Sequence, residues 1–415
     1  MLLSIALGGC GGPTDLGGSR GYAGGGSDGQ FASSKTGTNR GIEAFWNVQA
    51  LKSAPKAETV AESTEKLGDV EVTLKEVLYE SPSAQGGPIR VFAYYGVPAS
   101  KKGDKLPAIV LVHGGGGLAD RNWVLDWASR GYAALAMDLP GKGGPGREKS
   151  RSEGPDMLDE NIFKVTPSPK DSYLYVAVNA VCRAVSFLSE QKEVDRSRIG
   201  VAGFSWGGVI TLVANGIDDR IAAACTVFGA GFIPDESCWV EGALKKLSKH
   251  EKKAWREQFD PSSYLGSLHA RMLFVGATQD TYYPLRSFIR TFEGARCEKT
   301  LCLVPNKNHE WDQPTYDGIL RWFDWALRSG PPLPSVKVKR TSREIEVTVK
   351  GAEKDLSVML AGADSTDYAK AVWTTTDIAG KDGVWKADAP AASKPTAVLV
   401  RDKDGGCVAA SVHLP

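Results

Sequence analysis

The sequence lacks the features that would point to a membrane, a nucleic acid or a metal. No apolar run approaches the ~20 residues that cross a bilayer as a helix. Lys and Arg total 50 against 49 for Asp and Glu, a formal net charge of +1, so no excess of charge argues for a nucleic acid or other acidic polymer as partner. The seven cysteines (Cys10, Cys182, Cys225, Cys238, Cys297, Cys302 and Cys407) are dispersed, and none stands in a Cys-x-x-Cys pair, which excludes the common zinc frameworks. Histidine is scarcer still, at five in 415 residues, and His309-Glu310-Trp311 lacks the second histidine of H-E-x-x-H. No metal and no cofactor is therefore expected, and specificity must reside in a local site.

The opening MLLSIALGGC is short and apolar, and its Leu7-Gly8-Gly9-Cys10 ending resembles a lipobox, which makes Cys10 a candidate lipid anchor and export a candidate destination. No Lys or Arg precedes the apolar stretch, as a secretory signal normally requires, so a cytoplasmic location stays open. Residues 11 to about 40 are rich in Gly and Ser and offer almost nothing to bury, so residues 1–60 read as a flexible leader.

From about 61 to 330 the texture is that of one folded domain. VEVTLKEVLYE and IRVFAYYGVP alternate like antiparallel strands. Continuous apolar runs follow (AIVLV, YAALAM, RIGVAGF, IAAACTV, RMLFVGA, TLCLV), as expected for strands buried on both faces, and helical segments separate them. That alternation predicts an α/β fold with a doubly wound, mostly parallel sheet. Two stretches interrupt it: a polar, Pro- and Gly-rich excursion over about 142–171, and a segment from Phe232 to Leu265 that reads as helical and suits a lid or substrate wall. After PPLPS, residues 336–415 carry about seven short alternating segments between turns, the signature of an all-β, immunoglobulin-like sandwich. Packing support is the favoured role for it, ahead of carbohydrate binding. Cys297 and Cys302 flank a turn-like segment and are candidates for a disulfide in an oxidising compartment, although spacing alone does not supply the geometry.

Gly203-Phe204-Ser205-Trp206-Gly207 is a G-x-S-x-G sequence. In a chain this rich in Gly and Ser the bare pattern arises by chance on the order of 0.4 times, so its context decides. Here it follows the strand RIGVA and opens the helix GGVITLVANG, the strand-turn-helix setting that exposes a nucleophilic serine. A serine hydroxyl needs a neighbouring base. His250 falls in a charged helix, His413 in the terminal β-region and His269 ahead of a strand, whereas His113 sits at the mouth of a glycine-rich loop. His309 follows the last strand of the sheet and precedes the final helix. RMLFVGATQD ends at Asp280, so the order Ser205, Asp280, His309 emerges as a candidate catalytic triad. The backbone N–H of Trp206 and that of Gly115 or Gly116 are the candidate oxyanion donors. Trp123, Tyr282 and Trp311 are candidate substrate-binding residues, although each suits core packing equally.

LPAIVLVHGGGG, RGYAALAMDLPG, EVDRSRIGVAGFSWGG, MLFVGATQDTYYP and the His309-Glu310 pair together resemble α/β-hydrolases of the dienelactone hydrolase and acetyl xylan esterase type, which include cephalosporin C deacetylases. The resemblance covers about residues 70–328 and implies the same triad, Ser205, Asp280 and His309. It departs where deacetylases of that family carry Arg-Gly-Gln and this chain has Pro140-Gly141-Lys142, and where they carry Gln after the serine and this chain has Trp206. Dienelactone hydrolases proper use a cysteine nucleophile, which this chain lacks. The expected activity is hydrolysis of short-chain acyl esters, such as acetyl groups on a small molecule or polysaccharide, through an acyl-enzyme. A serine peptidase of the prolyl oligopeptidase type shares fold and triad order, but its large N-terminal propeller has no counterpart here. A non-catalytic binding protein on the same scaffold is the other alternative. Oligomeric state is not legible.

Overall fold

The computed structural model describes residues 40–83, 87–99, 105–139, 150–331, 333–351, 356–403 and 406–415. Cys10, the leader up to residue 39 and Pro140-Gly141-Lys142 lie outside the described residues. Strands β1 (Ala57–Leu67), β2 (Val70–Pro82) and β3 (Pro88–Pro98) form an antiparallel ladder. It joins strands β4 (Leu106–Val112), β5 (Ala133–Met137), β6 (Val194–Phe204), β7 (Ile221–Val227), β8 (Arg271–Ala277) and β9 (Lys299–Val304), which run parallel to one another. The sheet has nine strands in the order β1-β2-β3-β5-β4-β6-β7-β8-β9, with β3 antiparallel to β5 at the join. Every residue of β4 and β5 is buried, which is why their sequences are unbroken apolar runs.

The helices are α1 (Arg40–Trp46), α2 (Val48–Leu51), α3 (Arg121–Ser129), α4 (Asp159–Ile162), α5 (Tyr173–Glu190), α6 (Trp206–Ile217), α7 (Lys249–Phe259), α8 (Leu285–Gly294) and α9 (Gln313–Arg328). Helices α3 and α9 share one core with one face of the sheet, and α5, α6 and α8 share the core of the other face. The termini of these helices are built locally. Asp120 caps α3 by accepting from Asn122 and Trp123 N–H, Ser172 caps α5, and Asp312 caps α9 with Pro314 just inside it. In the second insertion a Ser248–Glu251 capping box starts α7, and Trp255 donates to the Ile162 carbonyl at 2.9 Å, tying the two insertions together.

The boundary expected at residue 60 needs correction, because residues 40–60 are part of the α/β body. Trp46 is buried, stacks on Tyr175 with ring centroids 5.4 Å apart, and donates to Tyr264 Oη at 2.9 Å. Arg183 on α5 reaches the carbonyls of Ala50 and Leu51 at 3.1 and 3.3 Å and that of Glu80 at 3.2 Å. A buried guanidinium satisfied by carbonyls fixes the chain that supplies them, and burying one aromatic of this size contributes ~1.5–3 kcal/mol. The segment is short, and its attachment rests on one buried indole and on carbonyls that Arg183 collects, which no sequence period announces.

The C-terminal region forms two four-stranded sheets, β10 (Ser335–Arg340), β11 (Glu344–Lys350), β15 (Val384–Asp388) and β14 (Gly380–Lys381) in the order β10-β11-β15-β14, and β13 (Trp373–Asp377), β12 (Leu356–Ala363), β16 (Thr396–Asp402) and β17 (Cys407–His413) in the order β13-β12-β16-β17. Ile345, Val347, Val358, Trp385, Val398 and Val400 fill the space between them, making a β-sandwich. The second sheet is buried on its other face too, where Ala361, Ala363, Trp373, Ala397 and Leu399 merge with the main core of the α/β body. The candidate pairing of Cys297 with Cys302 does not occur, since both are free thiols. Cys297 packs against the core on one face of the sheet and Cys302 lies within the core on the other, where it meets Cys407 of β17.

Candidate active site

Ser205 sits where β6 turns into α6, with φ 57° and ψ −122°. A non-glycine residue at positive φ is strained, and here the surroundings leave no alternative. Its N–H donates to the Val227 carbonyl at 2.7 Å, and its carbonyl accepts from Gly208 and Val209. A methyl group on Gly203 would lie 2.1 Å from the Gly207 carbonyl oxygen, and one on Gly207 would lie 2.2 Å from that of Val112. The two flanking glycines of the motif are thus required by contact between backbones. Trp206 opens α6, so its N–H is among those left without an acceptor inside the helix.

The glycine-rich loop after β4 closes over this turn. A side chain on Gly114 would come within 3.0 Å of Ser205 Cβ, and one on Gly115 within 3.1 Å of the Trp206 indole. Gly116 takes φ 68°, and Gly117 N–H closes the turn onto the Gly114 carbonyl at 3.1 Å. The loop is pinned by His113, whose Nδ1 donates to the Gly114 carbonyl at 2.8 Å while Nε2 accepts the Leu139 N–H at 2.9 Å. Burial pushes the His113 pKa down, opposed by the Gly114 carbonyl and by Asp138, whose carboxylate lies 3.9 Å from Nε2. Burial raises the Asp138 pKa in turn, opposed by the backbone N–H of Arg151. The sequence places His113 at the mouth of the glycine-rich loop but gives no sign of this pairing with Asp138, which is distant in the chain.

Asp280 and His309 meet on the other side. Asp280 Oδ2 accepts from His309 Nδ1 at 2.7 Å, and Oδ1 accepts from Tyr282 and Tyr283 N–H at 2.8 and 2.9 Å. Both side chains are 2% exposed, so the bond is shielded from water. The imidazole is enclosed by rings. Its centroid lies 4.9 Å from Tyr282, 5.2 Å from Phe204, the residue before Ser205, and 5.3 Å from Phe228, itself at φ 59°. With Nδ1 engaged, Nε2 is buried and has no hydrogen-bond partner among the described residues. The Ser205–His309 hydrogen bond is therefore not formed, and the Ser205 side chain lies beside Tyr283. Burial pushes the Tyr283 phenol far above the ordinary tyrosine pKa, and the Ser205 hydroxyl opposes that rise.

Of the other candidates, Tyr282 borders His309 directly. Trp311 packs its ring 5.2 Å from Phe204, and Trp123 joins it with Trp127 and Tyr316 around a small cavity behind Phe204. The wall beside Trp206 comes instead from the two insertions. Trp239 lies 4.7 Å and Phe163 5.9 Å from the Trp206 ring, and Trp239 lies 5.4 Å from Tyr283. The segment from Phe232 to Leu265, expected as a lid or substrate wall, supplies Trp239, whereas Phe163 lies in irregular sequence that gave no signal. Among the described residues no cluster of His, Cys, Asp and Glu could hold a metal, and no helix is long and apolar enough to cross a membrane.

A largely parallel sheet with helices on both faces and a strained serine between β6 and α6 defines the α/β-hydrolase fold. Residues 33–234 match the acetyl xylan esterase family model, and residues 217–369 match that of the PhoPQ-activated pathogenicity-related protein. Among solved structures, an acetyl xylan esterase from Paenibacillus sp. R4 superposes with a TM-score of 0.58 at 24% identity, over 71% of this chain and 97% of that one. Acetyl xylan esterase 1 from Thermoanaerobacterium sp. JW/SL YS485 gives 0.54 at 19% identity, over 68% and 92%. A curated relative, an uncharacterized protein of Pseudomonas aeruginosa, is 27% identical over 173 residues, and that match spans 39% of this chain and 41% of the relative's length. The chain thus has the α/β-hydrolase fold and is similar to acetyl xylan esterases.

Proposed function

We propose that the protein hydrolyses carboxylic esters through an acyl-enzyme formed on Ser205, with His309 as general base and Asp280 as the acid that orients it. One observation carries the reading. A buried imidazole has Nδ1 held by a carboxylate at 2.7 Å and Nε2 unengaged, and its ring packs against the residue preceding a strained serine. In that tautomer Nε2 is the basic nitrogen, and catalytic hydrogen bonds of this kind commonly tighten only when substrate is bound. Attack by Ser205 Oγ places negative charge on the carbonyl oxygen, for which Trp206 N–H and the N–H of Gly115 or Gly116 are the donors. His309 then passes the proton to the departing alcohol, and water completes the cycle.

The substrate class we infer is short acyl esters, acetyl groups on carbohydrate above all. The similarity to acetyl xylan esterases supports it, and Trp206, Trp239 and Tyr283 form an aromatic wall on the side of Ser205 that meets Tyr283. An export signal ending at Cys10 would suit a polymeric substrate. The test is turnover of p-nitrophenyl acetate, butyrate and octanoate and of acetylated xylan by wild type and Ser205→Ala, with fluorophosphonate labelling. Acetate is expected to be the best ester, and Ser205→Ala to lose about 10⁴-fold or more. A wild type that neither turns over any of these esters nor labels at Ser205 overturns the reading.

A further inference from the structure

We propose that the C-terminal sandwich is part of the catalytic frame, with Gln279 and Asn306 as the positioning residues through which its Ala371–Trp373 segment holds Asp280 against His309. The kinetic part of this inference rests on the esterase reading above.

Asp280 lies in the loop after β8 and His309 in the loop after β9, and the two loops are stitched side by side. Thr278 N–H donates to the Val304 carbonyl at 3.1 Å, Asn306 N–H to Thr278 Oγ1 at 2.9 Å, Gln279 N–H to the Lys307 carbonyl at 2.9 Å, and Thr281 N–H to Asn308 Oδ1 at 3.0 Å. The Asp280–His309 bond is one rung of this ladder. Strand β9 is the last of the nine, so on its far side no further strand of the α/β sheet braces the loop that carries His309.

The sandwich supplies that brace. Asn306 makes a reciprocal pair with Trp373, its Nδ2 donating to the Trp373 carbonyl and its Oδ1 accepting the Trp373 N–H, both at 2.7 Å. Gln279, adjacent to Asp280, donates through Nε2 to the Ala371 carbonyl at 2.9 Å. Ala371 and Trp373 are buried in the main core, so the backbone that receives these bonds is itself fixed. Asn306 stands at φ 57°, a conformation asparagine tolerates well and at which its amide can reach across. Further along β9, Arg401 of β16 donates to the Leu303 carbonyl at 2.9 Å, and Asp402 pairs with Arg321 on α9. The amide bonds thus fall within three residues of the acid and the base, which mere adhesion between two bodies would not require.

The experiment uses the full chain carrying Asn306→Gly, Asn306→Ala, Gln279→Met and the Asn306→Gly/Gln279→Met pair. Glycine keeps the left-handed backbone and removes only the amide. The double variant is expected to fold with one cooperative transition, to lose ~10- to 100-fold in kcat with KM within about twofold, and to broaden or shift the far-downfield His309 Nδ1 proton resonance. Wild-type kcat and an unchanged resonance in the double variant overturn the proposal. So does a defect in Asn306→Ala that Asn306→Gly lacks, because residue 306 would then serve its backbone alone. The resonance needs no substrate. If wild type shows it without turning over any ester, the esterase reading fails and the resonance by itself decides the clamp.

Discussion

The two sides of the site are held by different means. On the serine side, position is enforced by backbone against backbone, with glycines at 203 and 207 approaching carbonyls so closely that no methyl group fits. On the acid and base side, position is enforced by side-chain hydrogen bonds: Asp280 to His309, Thr278 and Asn308 between the loops, and Gln279 and Asn306 into the sandwich. Steric enforcement is local and leaves a motif in the sequence. Hydrogen-bonded enforcement draws on residues far apart in the chain, and each of them alone is an ordinary polar residue.

This contrast predicts opposite phenotypes. Asp280→Asn should leave the fold intact, because the side chain is nearly isosteric, and should drop kcat on p-nitrophenyl acetate by about 10⁴-fold through the wrong histidine tautomer. A variant with wild-type kcat would remove Asp280 from the mechanism. Gly203→Ala should do the reverse in kind, lowering thermal stability by ~3 kcal/mol or abolishing soluble expression, since the nearest obstacles, the Gly207 carbonyl and Thr211 Oγ1, cannot swing away. An unchanged melting temperature would show that the elbow is looser than its contacts imply.

The smallest expected effect separates the two sides by pH. His113 has its folded pKa lowered by burial, so the unfolded chain binds the proton more readily in the window below the ordinary histidine value of about 6.5. Its contribution to stability is present above that value and lost as pH falls towards the folded pKa. Asp138, raised by burial, acts in the opposite direction at lower pH. Melting temperature should therefore decline on acidification below about 6.5, and less steeply in His113→Gln. Equal slopes in the two proteins would remove His113 from the account.

Much of the fold was legible because it rests on burial. The apolar runs of β4 to β9 announced a sheet covered on both faces, and the alternation of β11 announced a strand with one buried face, whereas β3 is buried on both faces over Val91–Ala93 despite its alternating sequence. Ser205 was legible from a motif in context, and Asp280 and His309 from their places at strand ends. The 40–60 segment was not, because its attachment depends on Trp46 and on carbonyls that Arg183 collects from across the chain. Of the aromatic wall only the segment bearing Trp239 left a trace, as a candidate lid or substrate wall, since Phe163 comes from an irregular insertion without period. The sandwich did leave one trace that passed unread: β16 is a run of buried residues from Thr396 to Val400, where a strand with one solvent-facing side would alternate.

That run has a consequence for how the molecule comes apart. Because Ala397 and Leu399 belong to the same apolar mass as the core of the α/β body, peeling the C-terminal eighty or so residues away would expose that part of the core to water. In such an arrangement the two bodies are expected to share one melting event, which a single calorimetric transition of the full chain would display.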